Sequence, residues 1–262
     1  MRRKDLLYLA ILALLLRFLP VLALCFLASG LADFQRSRQF DAANWRRYFL
    51  GNGLLTWVLS PFNLLVDLIC ERNHGVYDLS QLPAAHQDEI RSIIAAFNDH
   101  LPLVNARLGG QMASKRRGMC FVRWYGMPVD SSLDLPELAR DFKYVKTIGI
   151  SVFNERQSTS VHYGPLRLTL RCLYNLRPID DENVFIDVAG RRHYWHDDPL
   201  FIFDDTLVHR SVNESDRLRY CIFLDVLRPS HFARVLDVMV AAVRLGVMSM
   251  RRVFYANWEM IR

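Results

Sequence analysis

His162 and His209 differ from the other six histidines in what surrounds them. His162 opens the run His162-Tyr163-Gly164-Pro165 ahead of a strand-like alternation, and His209 follows the acidic turn Asp204-Asp205 after another apolar run. Two neutral imidazoles from the ends of different strands can converge on one divalent metal, because their ring nitrogens suit Fe, Zn, Cu or Ni. Each histidine is followed by an arginine: Arg171 in the strand after His162, and Arg219 at the opening of the strand after His209. An inward-facing guanidinium is costly unless it meets an anion, and its planar fork matches a carboxylate. Side chains alternate along a strand, so Arg167 and Arg171 are expected on one face, with Leu168, Leu170 and Cys172 on the other. The competing reading pairs Arg171 with an acid such as Asp225, and Arg219 with Asp216 or Glu214 at the surface. His74, His86, His100, His193, His196 and His231 read as surface or hydrogen-bonded residues.

The elements that must position these groups follow from hydrophobic periodicity. From Met119 onward the runs "MCFVRWY", "TIGISVF", "LRLTLRCLYNL", "NVFIDV", "LFIFDD" and "RYCIFLDVL" are short and separated by Gly, Pro, Asp and Asn clusters. Many short strands without interleaved helices indicate an antiparallel sandwich or barrel. Ahead of them, apolar residues at helical spacing predict one amphipathic helix from Ala84 to about His100. Helical spacing returns from Val235 to Phe254, with Arg234, Arg244, Arg251 and Arg252 beside an apolar side, a pattern suited to lying on a membrane surface or packing on the N-terminal helices.

The apolar excess of the 262-residue chain is concentrated at its N-terminus. Leu6 to Ala32 is longer than the ~20 residues needed to cross a bilayer and follows Arg2, Arg3 and Lys4, so a retained anchor is expected rather than a cleaved signal. Arg17 and Pro20 interrupt it, so the segment is expected to kink, or to dip in and return. Tyr48 to Cys70 is also apolar but carries Asn52, Asn63, Asp67 and Pro61, which suits an interfacial helix at least as well as a span. Arg36, Arg38, Arg46 and Arg47 between the two stretches argue against a simple two-span hairpin. Five scattered cysteines form no disulfide framework and indicate a reducing compartment. The net charge of +6 has no interleaved aromatic and basic stripe, which favours anionic lipid over nucleic acid as its partner.

The stretch from about Gly149 to Pro229 resembles the aspartyl/asparaginyl β-hydroxylase family of Fe(II)- and 2-oxoglutarate-dependent dioxygenases. The matching elements are His-Tyr-Gly-Pro at His162 to Pro165, Arg171 in the next strand, Phe-Asp-Asp-Thr-x-x-His-x-x-x-Asn at Phe203 to Asn213, and Arg219 followed by Phe-Leu-Asp-Val-Leu-Arg-Pro. The resemblance implies a mainly β fold, a double-stranded β-helix of the jelly-roll or cupin-like type. It makes His162 and His209 the iron ligands, Arg219 the grip on the distal carboxylate of 2-oxoglutarate, and Arg171 and Ser151 its helpers, with O2 as second co-substrate. Many oxygenases outside this branch add a carboxylate two residues after the first histidine, where this chain has Gly164; its absence is usual within the branch.

The same resemblance, with the apolar N-terminus and basic C-terminal helix, points to the membrane-bound group that hydroxylates acyl chains of lipid A or ornithine lipids beside the carbonyl. A membrane-anchored peptidyl Asp/Asn β-hydroxylase is the alternative, and a silent lipid-binding or scaffold barrel the third. The expected organisation is an N-terminal membrane anchor with an interfacial helix over 1–75, the dioxygenase domain over 76–230 and a C-terminal amphipathic helix over 231–262. The catalytic domain is expected on the cytoplasmic face of a bacterial inner membrane.

Overall fold

The computed structural model describes residues 3–248 and 258–261. In chain order the helices are α1 (Arg3–Phe18), α2 (Pro20–Phe34), α3 (Ala42–Leu50), α4 (Leu54–Val58), α5 (Ser60–Ile69), α6 (Ala84–Asp99), α7 (Leu101–Gly109) and α8 (Ala233–Met248). The strands are β1 (Val76–Tyr77), β2 (Arg117–Trp124), β3 (Met127–Pro128), β4 (Val145–Phe153), β5 (Gln157–Ser158), β6 (Thr169–Asn175), β7 (Val184–Val188), β8 (Arg191–Tyr194), β9 (Leu200–Phe203), β10 (His209–Asn213), β11 (Arg219–Leu227) and β12 (Glu259–Met260).

The strands form two sheets. The larger runs β1-β9-β6-β11-β4-β2-β12 with β3 beside β2, and the smaller runs β5-β10-β7-β8. All pairings are antiparallel except β12 with β2. Arg117 to Leu227 adopt the expected mainly β architecture. β4 and β11 lie at the centre, and every residue of both is buried, as expected for strands covered on both faces. Outward, Ile148, Ile150, Ile222 and Leu224 pack with Ile90, Ile93 and Phe97 of α6. Inward, Phe121, Leu173, Cys221 and Phe223 meet Val184, Ile186 and Val188 of the smaller sheet. The functional cavity opens within this second layer.

The alternation expected around Arg171 holds only inside the strand. Leu170 and Cys172 point into the outer core, whereas Thr169, Arg171 and Leu173 line the cavity. Arg167 precedes β6 and does not share that face. It is fully buried among acids from elsewhere in the chain.

The N-terminal apolar run does not form a single membrane-spanning helix; it breaks and turns back, as Arg17 and Pro20 led one to expect. Pro20 has no N–H to continue the first helix, and Leu19 leaves the helical region at φ −134° and ψ 58°. The chain turns back there, so that Tyr8 and Leu12 of α1 flank one apolar groove with Leu27 and Leu31 of α2. The result is two helices of 16 and 15 residues; among the described residues no helix is long and apolar enough to cross a membrane. Tyr48 to Cys70 is likewise divided, into the end of α3, α4 and α5. The expected C-terminal helix is present as α8, while its predicted continuation to Phe254, with Arg251 and Arg252, lies outside the described residues.

The helices before Gly75 are tied to the strands by polar side chains. Asp33 of α2 and Asp67 of α5 both pair with Arg167, the latter at 2.6 Å. Asp67 also takes Arg228 at 2.6 Å, and Arg36 reaches Asp204 at 2.6 Å. Burial works against the charge on Arg167, but the carboxylates of Asp204, Asp33 and Asp67 outweigh it and push its pKa up. Asp204 is the mirror case: burial would raise it, and Arg36 and Arg167 hold it far below the usual carboxylate range. A buried cluster of this kind is strongly destabilised when one member is removed, because the others lose their compensation.

Candidate metal and co-substrate site

His162 and His209 meet as an isolated antiparallel bridge, the main-chain N–H of each donating to the carbonyl of the other at 2.9 Å. That pairing sets the two rings side by side, with centroids 4.2 Å apart and planes inclined at 49°. His162 Nδ1 lies 2.7 Å from the Ser160 carbonyl, and His209 Nδ1 lies 2.8 Å from the Leu207 carbonyl. A carbonyl only accepts, so each Nδ1 carries the proton and each Nε2 keeps its lone pair. Burial lowers both imidazole pKa values, and for His209 the neighbouring His162 lowers it further. Two neutral imidazoles with their tautomers fixed by carbonyls are a donor set that fits iron. No larger cluster of His, Cys, Asp or Glu suited to a metal occurs among the described residues. Two protein ligands would leave the other coordination positions to co-substrate and water.

Both histidines line a cavity of about 220 Å³ together with Ser151, Arg171, Ser211 and Arg219. Arg219 opens β11 with its side chain only 1% exposed. It is not the surface partner of Asp216 or Glu214, since Asp216 pairs with Arg156 and Glu214 accepts from Ser158. Arg219 Nη2 donates to Ser211 Oγ at 2.8 Å, and its guanidinium carbon sits 4.2 Å from the Phe153 ring centroid. Nε and Nη1 are buried with no hydrogen-bond partner among the described residues. A desolvated guanidinium in the cavity lining with two donors unused is costly to bury, and an anion, most naturally a carboxylate, would offset that cost. Ser151 stands on the neighbouring strand, opposite Cys221, and its hydroxyl donates to the Cys221 carbonyl at 3.2 Å.

Arg171 reaches the cavity, but its guanidinium is engaged by acids. Nε meets Asp225 and Nη2 meets Asp205, each at 2.8 Å, and the group stacks 3.9 Å from the Phe223 centroid. The Asp225 pairing is the alternative left open by the sequence. Asp205, which the sequence marks as part of an acidic turn supporting the site, is given its place only by the structure. A Cβ built on Gly164 would come within 2.4 Å of the Asp205 carboxyl carbon, so the space beside the first histidine is filled by a carboxylate from another segment. Burial pushes that carboxyl up to about 7, with Arg171 opposing the shift and Asp225 and Asp204 adding to it.

A group that the sequence reading missed supports the candidate site from outside the barrel. Asn52 donates to the Val161 carbonyl at 2.8 Å, Thr56 to the Gly164 carbonyl at 2.9 Å and Asn63 to the Pro165 carbonyl at 3.0 Å. Asn63 Oδ1 also accepts from the Arg167 N–H at 3.0 Å. The loop carrying His162 is therefore held, carbonyl by carbonyl, by the polar face of α4 and α5 and the turn before them. The signal was present in the sequence: Asn52, Thr56, Ser60, Asn63 and Asp67 recur every three or four residues in an apolar run, one helical stripe.

Two facing, mainly antiparallel sheets, with two imidazoles and a buried guanidinium lining one cavity, define a β domain with its candidate site inside. Residues 131–229 match the model of the aspartyl/asparaginyl β-hydroxylase family, the family that the resemblance named. The ornithine lipid ester-linked acyl 2-hydroxylase of Rhizobium tropici is 29% identical over 84 residues, which are 32% of this chain and 30% of that protein. The match thus spans under a third of that relative's length. Among solved structures the chain is similar to a prolyl-4-hydroxylase from Pseudomonas putida, with 15% identity over 60% of this chain and 94% of the other at a TM-score of 0.34. It is also similar to a 2OG-Fe(II) oxygenase family oxidoreductase from Burkholderia pseudomallei, with 12% identity over 52% of this chain and 92% of the other at a TM-score of 0.31.

Proposed function

We propose that this protein is a membrane-associated Fe(II)- and 2-oxoglutarate-dependent dioxygenase that hydroxylates a lipid acyl chain, of the lipid A or ornithine-lipid type, at the carbon beside the carbonyl. The observation that carries the chemistry is one cavity lined by His162 and His209, whose Nδ1 atoms are engaged by carbonyls so that Nε2 keeps its lone pair, and by Arg219, two of whose nitrogens are unpaired among the described residues. His162 and His209 would hold the metal. Iron bound there would supply the reduction of O2 coupled to oxidative decarboxylation, one oxygen atom entering a C–H bond of the acceptor and the other the succinate formed with CO2.

The chain's own share is orientation and charge. Arg219 fixes the distal carboxylate of 2-oxoglutarate by charge-assisted bonds that its buried donors lack without it. Ser151 and Ser211 offer hydroxyls beside that carboxylate. Arg171 presents its cation to the co-substrate's other end while Asp205 and Asp225 hold its fork in place. Phe153, Phe203 and Phe223 wall the cavity and keep bulk water from the reacting atoms.

The lipid acceptor is supported by the apolar wall formed by Leu166, Leu168 and Val240, by the named activity of the Rhizobium relative, and by the extent of exposed leucine on the outer helices. All five cysteines are free, which agrees with a barrel on the cytoplasmic face of a bacterial inner membrane, where iron and 2-oxoglutarate are supplied. The test compares lipid extracts from cells expressing the wild type or His162→Ala. A gain of one oxygen on an acyl chain, present only with the wild type, is the expected result. An unchanged lipid profile beside a hydroxylated Asp or Asn peptide would establish the peptidyl reading. Absence of 2-oxoglutarate turnover from the iron-loaded protein with either acceptor would leave only the silent barrel.

A further inference from the structure

Two of the helices outside the barrel, α4 and α5, have their polarity reversed. In α4 and α5 the buried positions are Thr56, Ser60, Asn63 and Val66, so three of four are polar, while Leu55, Val58, Leu65 and Leu68 face outward. Leu68 is 81% exposed. Asp67, the sole charged residue between Leu54 and Cys70, is turned in toward Arg167 and Arg228. α2 shares the exposed apolar face: Val21, Leu22 and Leu24 are exposed, while its one acid, Asp33, is buried beside Ala23, Gly30 and Phe34. A helix on a water-facing protein surface shows the opposite arrangement.

α8 joins the same surface. Its inner side chains Leu236 and Val240 pack with Val66 of α5 and with Leu168, and Leu168 and Val240 also line the catalytic cavity. Its outer stripe is Val235, Val238, Ala242 and Leu245, with Val238 at 70% exposure. The cavity and the exposed stripe are therefore two sides of one helix.

We propose that the outward faces of α1, α2, α5 and α8 dock as one surface on a phospholipid bilayer, lying along it, with the α5–α8 face seated among the acyl chains next to the cavity wall. What singles out lipid over a partner protein or a second copy is α1. Leu14, Leu15 and Leu16 are consecutive and all exposed; at about 100° per residue they cover roughly half the helix circumference. One partner helix covers a single stripe, whereas acyl chains surround a helix from every side. Arg17 at the turn has a long aliphatic stem by which its guanidinium can reach head groups. The proposal deepens the lipid-substrate reading and rests on it for its purpose, while the surface itself is argued from the helices.

The test reads lipid contact rather than turnover. An environment-sensitive fluorophore is attached in the full chain at Leu68→Cys or Val238→Cys, in a Cys25→Ala, Cys70→Ala background, with Asp99→Cys on the far end of α6 as control. With vesicles of phosphatidylethanolamine and phosphatidylglycerol carrying nitroxide on their acyl chains, the first two positions should be quenched and the control should not. Leu68→Asp and Val238→Asp should each weaken vesicle partitioning about tenfold while leaving the melting temperature unchanged, because neither side chain packs inside. Probes at 68 and 238 that stay unquenched on vesicle-bound protein overturn the surface, as does a lipid-free dimer in which both are already shielded. Unquenched probes on a protein that still hydroxylates lipid defeat the surface alone; quenched probes on one that hydroxylates only peptide defeat the substrate reading alone.

Discussion

Replacing Arg219 by Met should stabilise the protein in the absence of 2-oxoglutarate and abolish its response to it. The guanidinium is 1% exposed, with one hydrogen bond at 2.8 Å to Ser211 and two donors, Nε and Nη1, that are buried without a hydrogen-bond partner among the described residues. Each buried unmade donor costs about 1–3 kcal/mol. The rings of Phe153 and Trp195, at 4.2 and 5.4 Å from Cζ, return about 0.5–2 kcal/mol of cation–π attraction. Methionine fills a similar length with no charge to desolvate, so the net gain should be on the order of 1–3 kcal/mol, a rise of several degrees in Tm for a chain of this size. A ligand at a hundred times its Kd stabilises the wild type by about 2.7 kcal/mol, and that increment should vanish in the variant. The assay is thermal melting with Mn2+ in place of iron, with and without 2-oxoglutarate. A variant that melts lower than the wild type and still gains stability from 2-oxoglutarate would show that Arg219 is a structural cation and that the carboxylate is held elsewhere.

Removing the carbonyl anchors should weaken the metal site without touching a ligand: Asn63→Ala leaves the Pro165 carbonyl and the Arg167 N–H without their partner, and metal affinity measured by competition with a chelator should fall about 10- to 100-fold. By the same reasoning a chain truncated at Gly75 should lose metal affinity and cooperative melting, since Arg167 loses Asp33 and Asp67 together; retention of both would return the helices to a purely tethering role. Gly164→Ala should displace the Asp205 carboxylate, which a Cβ meets at 2.4 Å, and with it the Arg171 fork; a variant with wild-type turnover would show that this carboxylate is free to move. His86 is stacked 3.9 Å from Tyr144, and burial lowers its pKa. The unfolded chain therefore takes up a proton on this residue first, and stability present above about pH 6.5 should be lost as pH falls below it. His86→Phe should flatten that part of a denaturation profile, and an unchanged slope between pH 6.5 and 5 would refute the assignment.

The sequence by itself determined the strands, because alternation with turn residues between runs leaves little freedom: Val145–Phe153, Thr169–Asn175 and Arg219–Leu227 fall where the apolar runs predict. It also singled out His162, His209 and Arg219, whose residue types are expensive to bury without a use, and the structure brings all three to one cavity. The inward turn of Arg171 was legible from strand parity, but its pairing with Asp205 was not, since the two are joined only when the turn before β10 folds over Gly164. Hydropathy alone could not distinguish a span from a broken hairpin in Leu6 to Ala32, because composition sums over the run while the outcome hinges on one missing N–H at Pro20 and one backbone turn at Leu19. Which face of α5 points inward was likewise a tertiary decision. Periodicity separates polar from apolar stripes, but only the unsatisfied carbonyls of the His162 loop and the buried charge of Arg167 make the polar stripe the one that packs.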